Sequence, residues 1–478
     1  MTAAIPRGPG RPAGGSAKVT VSWHGRRLLL RLHFYAGVLV APFLLIAALT
    51  GLAYTITPQL DRLVYADELY VDHVGTAPRP LAEQIAAARA AHPEGTLAAV
   101  LTGDGARRTT RVVLDVPELG DRQRTVYVDP YTGQVRGTLT TWWGSTPLTT
   151  WLDDLHRNLH LGPVGRNYSE VAASWLWVVA TGGLVLWVAR RRRTRRARRI
   201  LLPDLAARGR RRTMAWHGST GVWLLVGLLF LSATGLTWSR YAGAHFTAVL
   251  DATHSHAPDL DTALPAAAST GSAPAGHHHA RTGGTGGVSG ADRVDRVLAA
   301  ARTAGVDGPV EIGLPGEPGT AWTVTQTDKR WPVRLDAAAI DPTTAVVTAK
   351  TRWADYPLPA KLSKLGVAAH MGQLFGPANQ ILLAALALGL ICVIIWGFRM
   401  WWQRRPTRDD RPGRRGPLGP PPSRGAWHGL SKSALIVGIV LTAAVGWALP
   451  VLGVTMLVFL AVDLLVGAVG RRAARRPV

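Results

Sequence analysis

Long apolar runs alternate with short arginine-rich segments along most of the 478-residue chain. A helix needs about 20 apolar residues to cross a hydrocarbon core of roughly 30 Å, and the runs reach that length. The pattern predicts six membrane spans, the last two being a hairpin within one apolar stretch. Pro450, with Gly446 and Gly453 nearby, predicts the turn of that hairpin.

The arginine clusters all fall on one side of the predicted membrane. Arginine-rich loops stay in the cytoplasm, so the pattern predicts an inner-membrane protein with both termini cytoplasmic. The two long loops are then extracytoplasmic. The arginine clusters occupy residues 26–31, 190–199, 208–212, 399–405 and 471–476.

Each long outer loop contains helical and strand-like segments with an Asp-Pro turn, which predicts a small α+β domain. The expected helices are 81–91 and 291–304, and the turns begin at Asp129 and Asp341. The segment 239–290, rich in Gly, Ala, Ser and His, is predicted to be disordered. The expected fold is therefore a membrane all-α bundle, internally duplicated, with two small α+β extracytoplasmic domains.

The predicted divisions follow the hydrophobic pattern. The first half comprises an N-terminal tail 1–32, a first span 33–56, an outer domain 57–159 and a second span with its preceding segment 160–189. An Arg-rich loop 190–216 leads to the second half, which comprises a third span 217–238, the linker 239–290, a second outer domain 291–369 and a fourth span with its preceding segment 370–398. An Arg/Pro-rich linker 399–429, the hairpin 430–470 and a basic tail 471–478 follow.

Composition narrows the possible chemistry. The net charge of +24 would suit a nucleic-acid binder, but the arginines abut membrane-length segments and favour lipid contact instead. A single cysteine, Cys392, excludes intrachain disulfides, cysteine-ligated iron–sulfur clusters and zinc fingers. The sequence carries neither a dinucleotide fingerprint nor a Walker motif, and no protease pattern.

The same motif occurs in the first and third spans, which indicates an internal repeat. In both, a histidine is followed by a glycine four residues later and by Thr-Gly-Leu beginning seventeen residues later. The two copies are His33, Gly37 and Thr50-Gly51-Leu52, and His217, Gly221 and Thr234-Gly235-Leu236.

A second histidine pair precedes the second and fourth spans. His160 stands before Gly162, and His370 stands before Gly372. The predicted topology puts His33 and His217 at the inner edge of the membrane and His160 and His370 at the outer edge. Two imidazoles from facing helices are what an iron porphyrin needs as axial ligands, so the pairs predict two haem sites.

His156 leaves an alternative open at the outer site. It lies four residues before His160 and shares a helical face with it. The repeat favours His160 as the ligand, and His156 is then an alternative ligand, a contact to a haem propionate or a residue near a substrate. The run 277–279, with His245, His254 and His256, is a further candidate for weak metal binding.

These features resemble the PepSY-associated transmembrane proteins, iron-regulated membrane proteins that include bacterial ferric-siderophore reductases. The resemblance covers about residues 20–405 and rests on the first-span motif with Pro42, the Asp-Pro turns and the segment Leu-His-x-x-Leu-His-Leu-Gly at 155–162. It implies four core helices, PepSY-type outer domains and two b-type haems held by His33, His217, His160 and His370.

The resemblance implies an enzyme that reduces a ferric siderophore at the outer face. Electrons are expected from a quinol or a separate cytoplasmic donor, because the chain has no nucleotide domain. Two alternatives remain: a non-enzymatic PepSY membrane protein that binds a partner or regulates a peptidase, and a permease component for iron uptake.

Overall fold

A computed structural model describes residues 23–191, 198–264, 291–315, 317–404 and 429–474. Within these ranges the chain forms fifteen α-helices and eight β-strands. The helices are α1 (Trp23–Leu39), α2 (Ala41–Thr55), α3 (Thr57–Val64), α4 (Ala66–Leu69), α5 (Leu81–Ala91), α6 (Pro147–Asn158), α7 (Gly162–Arg191), α8 (Arg198–Leu201), α9 (Gly209–Thr237), α10 (Tyr241–Ala252), α11 (Ala291–Thr303), α12 (Leu358–His370), α13 (Pro377–Trp402), α14 (Lys432–Ala448) and α15 (Pro450–Ala474). The strands are β1 (Thr96–Leu101), β2 (Thr110–Asp115), β3 (Gln123–Val128), β4 (Val135–Thr141), β5 (Val310–Gly313), β6 (Trp322–Gln326), β7 (Ala337–Ile340) and β8 (Val347–Thr351).

Four helices in the described ranges are long and apolar enough to cross a membrane: α7, α9, α13 and α15. The pair α1 and α2 passes the same test when taken together, which makes five. Apolar α14 has only 17 residues. By length and composition, the described helices thus provide four or five candidate spans, compared with the six that the sequence pattern predicts.

The first span is bent rather than straight. Its two helices meet at Val40 with an angle of 55° between them. Pro42 lies in the first turn of α2, and its nitrogen has no hydrogen to continue the helical ladder. The bend redirects the second half of the span, which carries the Thr-Gly pair.

The predicted hairpin turn lies where the sequence pattern indicates. Helix α14 ends before Leu449 and α15 begins at Pro450. The backbones of Gly446 and Gly453 touch, since a Cβ built on Gly453 would stand 2.7 Å from the Gly446 carbonyl oxygen. Only glycine permits that approach between the two helices.

Helix α15 is attached to the other spans by polar and apolar contacts. Arg31 of α1 forms a buried ion pair with Asp463, and the Trp175 indole nitrogen donates to the Thr455 hydroxyl at 2.9 Å. Leu452 is fully buried in the cluster between the spans. The hairpin therefore joins the helical bundle through α15, while α14 has no buried residue.

The two predicted α+β units share one antiparallel sheet instead of forming separate domains. Its strand order is β4-β3-β2-β1-β5-β6-β7-β8. The halves meet at the centre, where Val100 of β1 pairs with Ile312 of β5. Each half contributes one helix and four strands in the same order, so the sheet is nearly symmetric about this central pair.

Helices α5 and α11 cover one face of the sheet and pack against each other. The carboxylate of Asp295 on α11 accepts hydrogen bonds from the backbone N–H groups of Leu81 and Ala82, at 2.8 and 3.0 Å. It thereby caps the N-terminus of α5. Because Val100 and Ile312 point into this core, their strand neighbours point to the opposite face.

The predicted linker 239–290 contains regular structure in its first part. Helix α10 packs against α9 and α15, and Ala263 forms an isolated bridge with Thr320. The amides of Tyr241 and Ala242 donate to the buried carboxylate of Glu170, which caps α10. The rest of the predicted disordered linker, with the histidine run 277–279, and most of the linker 399–429 lie outside the described residues.

Candidate functional site

His33 on α1 and His217 on α9 face each other near one end of the helical bundle. Their ring centroids are 6.3 Å apart, and the ring planes are 80° from parallel. A metal ion bound between two imidazoles at about 2.0–2.1 Å each places the ring centres about 6.4 Å apart. The observed separation is close to that value, so the two rings are suitably spaced to hold one metal between them.

In both rings, Nδ1 forms a hydrogen bond with a backbone carbonyl of a neighbouring helix. His33 Nδ1 donates to the Val179 carbonyl oxygen at 3.1 Å, and His217 Nδ1 donates to the Val393 carbonyl oxygen at 2.9 Å. A carbonyl only accepts, so Nδ1 carries the proton and Nε2 keeps a free lone pair in the neutral ring. This is the second-shell arrangement typical of metal-binding histidines.

A glycine one turn further along each neighbouring helix accommodates the ring. A Cβ on Gly183 would stand 3.0 Å from His33 Cε1, and a Cβ on Gly397 would stand 3.7 Å from His217 Cε1. Each glycine follows by four residues the valine whose carbonyl accepts from the same histidine. The contacts that His33 makes with α7 thus recur in the contacts that His217 makes with α13.

A second histidine pair lies at the other end of the bundle. His156 Nδ1 contacts the Thr50 hydroxyl at 3.0 Å, and His370 Nδ1 contacts the Thr234 hydroxyl at 2.6 Å. Each threonine hydroxyl also donates to a carbonyl one turn back in its own helix. The hydroxyl therefore accepts from the imidazole N–H, which leaves Nε2 free in both rings.

The glycines of the two Thr-Gly pairs permit these contacts. A Cβ on Gly51 would stand 3.1 Å from His156 Cε1, and a Cβ on Gly235 would stand 4.0 Å from His370 Cε1. The threonine of each Thr-Gly pair thus orients a ring, and Gly51 also makes room for the His156 ring, whereas a Cβ at Gly235 would be in ordinary van der Waals contact.

Burial keeps the second pair uncharged at neutral pH. It lowers the pKa of His156 to about 4 and, together with the nearby His156, lowers the pKa of His370 to about 4. The two rings are therefore within electrostatic reach of one another. Neutral imidazole is the form that binds a metal ion, so neither ring has to lose a proton first.

His160 does not occupy the position that the repeat alignment predicts. It follows the end of α6, with a backbone φ of 56°, and its ring lies 5.0 Å from that of Trp151. His156 instead makes the contact that corresponds to the one between His370 and Thr234. By its contacts, His156 rather than His160 therefore corresponds to His370, and His160 as a ligand stays a prediction.

Open space adjoins the first pair. Gly37 and Gly221 lie one turn after His33 and His217, on the same helical faces. A Cβ at either glycine would meet no atom within 4 Å. Part of the surface of all four paired histidines remains accessible although helices surround them.

The two pairs are separated by most of the membrane thickness. His217 and Thr234, which holds His370, are seventeen residues apart on α9. At 1.5 Å per residue this is about 25 Å along the helix. Each pair provides two histidine nitrogens as possible metal ligands. No group of three or more His, Cys, Asp or Glu suited to a bare metal ion occurs among the described residues.

Sequence reasoning missed the groups that orient the rings. Backbone carbonyls of Val179 and Val393 have no side-chain signal. Thr50 and Thr234 did carry a signal, namely their identical offset from His33 and His217, although a glycine in a membrane span ordinarily indicates close packing between helices. The glycines do serve close approach, although the group that approaches is an imidazole ring.

Comparison with known proteins agrees with this architecture. The family model described as the PepSY-associated TM region matches residues 30–404. A comparison with curated proteins finds no match. With its apolar helices, the chain is a multi-pass membrane protein in contact with lipid. Because the family match covers more than half of its length, the chain belongs to the PepSY-associated transmembrane region family.

Proposed function

We propose that this protein is an inner-membrane oxidoreductase that carries electrons through two b-type haems to a ferric chelate of the siderophore class. The observation that supports it best is the His33–His217 pair, with centroids 6.3 Å apart and both Nδ1 atoms engaged. The sheet then lies on the extracytoplasmic side and the arginine clusters lie in the cytoplasm, as the distribution of positive charge favours.

The residues fit haem. His33 and His217 would hold one group, and His156 and His370 the other. The open space beside Gly37 gives a flat ring room next to the first pair. Bound haem supplies one-electron chemistry, because its iron alternates between Fe(III) and Fe(II).

The chain's own residues would set the ligand geometry and keep the path apolar. Carbonyls and threonine hydroxyls fix each imidazole with Nε2 outward, and the spans exclude water from the space between the pairs. Because the pairs are about 25 Å apart along α9, the two haems would lie near opposite faces of the roughly 30 Å membrane core. A quinol or a cytoplasmic protein would supply the electrons, and Fe(III) in the chelate would accept one.

The visible spectrum of the full chain, purified in detergent, tests this proposal. We expect a reduced spectrum of the bis-imidazole b type and about two haems per chain by pyridine haemochrome assay. Adding a ferric hydroxamate chelate to the reduced protein should restore the oxidised spectrum and release Fe(II) to a ferrous indicator. A protein that stays colourless after expression with added haem would contradict the proposal and favour a partner-binding role.

The threonine that orients His370 gives a second test. Thr234→Val keeps the shape of the side chain but removes the acceptor for the Nδ1 proton. Loss of a second-shell partner typically weakens metal binding 10–100-fold, so we expect faster loss of one haem to an excess of apomyoglobin, followed by absorbance. Thr237→Val is the control, since this hydroxyl donates only to the Thr234 carbonyl. Equal retention in both variants would refute the positioning role.

A further inference from the structure

The face of the sheet opposite α5 and α11 carries charged residues at its centre. Arg111 of β2 and Glu311 of β5 both pair with Leu101 of β1. Directly paired residues point to the same face, and this face is opposite the core that contains Val100. Arg111 and Glu311 both remain accessible to solvent.

Two loops bring further cations to this face. Arg108 of the β1–β2 loop and Arg330 of the β6–β7 loop both interact with Asp104, at 2.8 and 3.8 Å. A small surface recess is lined by Leu69, Gly103, Asp104, Arg108, Thr109 and Arg111. The two loops meet at Asp104 beside this recess, and the surface that they border is called the basic cleft.

Helix α12 closes the cleft on its other side. Val333, in the β6–β7 loop, packs against Ala368 of α12 and Leu374, and the Trp331 amide donates to the Leu374 carbonyl at 2.8 Å. Lys329 in this loop is accordingly near Lys364 of α12. Loss of hydration beside neighbouring atoms, followed by repulsion from Lys364, lowers the pKa of Lys329.

The cleft has more positive than negative charge. Five cations meet three carboxylates there: Arg108, Arg111, Lys329, Arg330 and Lys364 against Asp104, Glu311 and Asp328. In the described part of the chain, Arg111, Lys329 and Lys364 form no ion pair within 4.0 Å. Clustered cations that repel each other at an accessible site are the pattern expected where an anion binds.

We propose that this cleft binds a soluble polycarboxylate-type anion through Arg111, Lys329 and Lys364. The inference rests on the proposed function for its biological role, which is to dock an anionic ferric chelate beside the outer histidine pair. Lys364 lies six residues before His370 on α12, about 9 Å along the helix axis. A chelate held by Lys364 is thus close to the end of the electron path.

Calorimetric titration of the full chain in detergent with citrate tests the cleft directly. We expect binding that weakens with added salt and falls about tenfold in Lys329→Gln and in Lys364→Gln, since each removes one hydrogen bond to a charged group. Both lysines are exposed, so the variants should fold. Lys361→Gln on the same helix is the matched control, because its ammonium donates to the Ala354 carbonyl. Unchanged affinity in both cleft variants would overturn the inference.

Two further arms separate the possible explanations. Citrate affinity should be the same in nanodiscs of phosphatidylcholine and of phosphatidylglycerol. Loss of citrate binding in the anionic phosphatidylglycerol would show that the cleft binds a lipid headgroup, and it would overturn the proposal of a soluble ligand. A colourless chain that binds citrate with the expected variant pattern would refute electron transfer and leave the anion cleft standing. A haem-containing chain whose citrate affinity is the same in both lysine variants would overturn the anion cleft and leave the electron-transfer proposal standing.

Discussion

Replacing His33 or His217 with alanine should remove one haem per chain and leave the other in place. These two imidazoles face each other at a centroid distance of 6.3 Å, so the proposed haem site would keep only one histidine nitrogen after either substitution. His156→Ala and His370→Ala should each remove the second haem. The haem-to-protein ratio and the reduced spectrum measure both losses, with the ratio falling from about two to about one.

His160→Ala is the matched control for the second site. Its ring rests on Trp151 and is exposed, so both haems should remain. If His160→Ala lost a haem and His156→Ala retained both, the ligand would be His160, as the repeat alignment predicts, and not His156, as the contacts indicate. Loss of both haems from any one of the four paired positions would argue against two independent sites.

Asp463→Ala should lower the stability of the helical bundle by about 3 kcal/mol. Breaking a buried ion pair by removing one partner leaves a buried charge without compensation. Arg31 is only 6% exposed, and its contact with the face of the Tyr35 ring at 4.9 Å replaces little of a carboxylate. Thermal unfolding in detergent, followed by tryptophan fluorescence, should show a clear decrease in midpoint temperature.

The double variant Arg31→Met/Asp463→Leu separates charge from packing. Apolar residues of similar volume often replace a buried ion pair without loss of stability, so its midpoint should return close to that of the unaltered protein. A double variant as unstable as Asp463→Ala would mean that shape, not charge pairing, holds α15 against α1. A single variant with an unchanged midpoint would show that the ion pair contributes nothing.

Local patterns in the sequence predicted many elements well. Helix α5 has the predicted bounds, Leu81–Ala91, because alanine favours helix throughout that segment. The Asp-Pro turns also form as expected: Asp129 and Asp341 each accept hydrogen bonds from backbone amides two residues on. Such features depend on a few neighbouring residues, so the sequence alone carries the information.

Long-range features were not predictable in this way. Strands β1 and β5 are separated by more than 200 residues, and no local pattern indicates that they pair. Both are short, and β1 contains two alanines, which are not typical of strands. The prediction of two separate α+β domains therefore missed the pairing that joins them.

The misplaced outer histidine has a local cause. Both Leu159 and His160 adopt a left-handed backbone, with φ of 55° and 56°, which is uncommon for residues other than glycine. Helix α6 thus ends at Asn158, and His160 leaves the face that it would share with His156 in a continuous helix. No residue in the sequence signals this ending before Gly162.

The joined sheet limits how the molecule can move. Rotating one half against the other would break the β1–β5 hydrogen bonds and expose the core that α5 and α11 share. A transporter that alternates between two openings relies on rocking of one repeat against its twin. One continuous sheet that spans both halves opposes such rocking. It suits an electron-transfer protein, in which the donor and acceptor groups stay at constant separation.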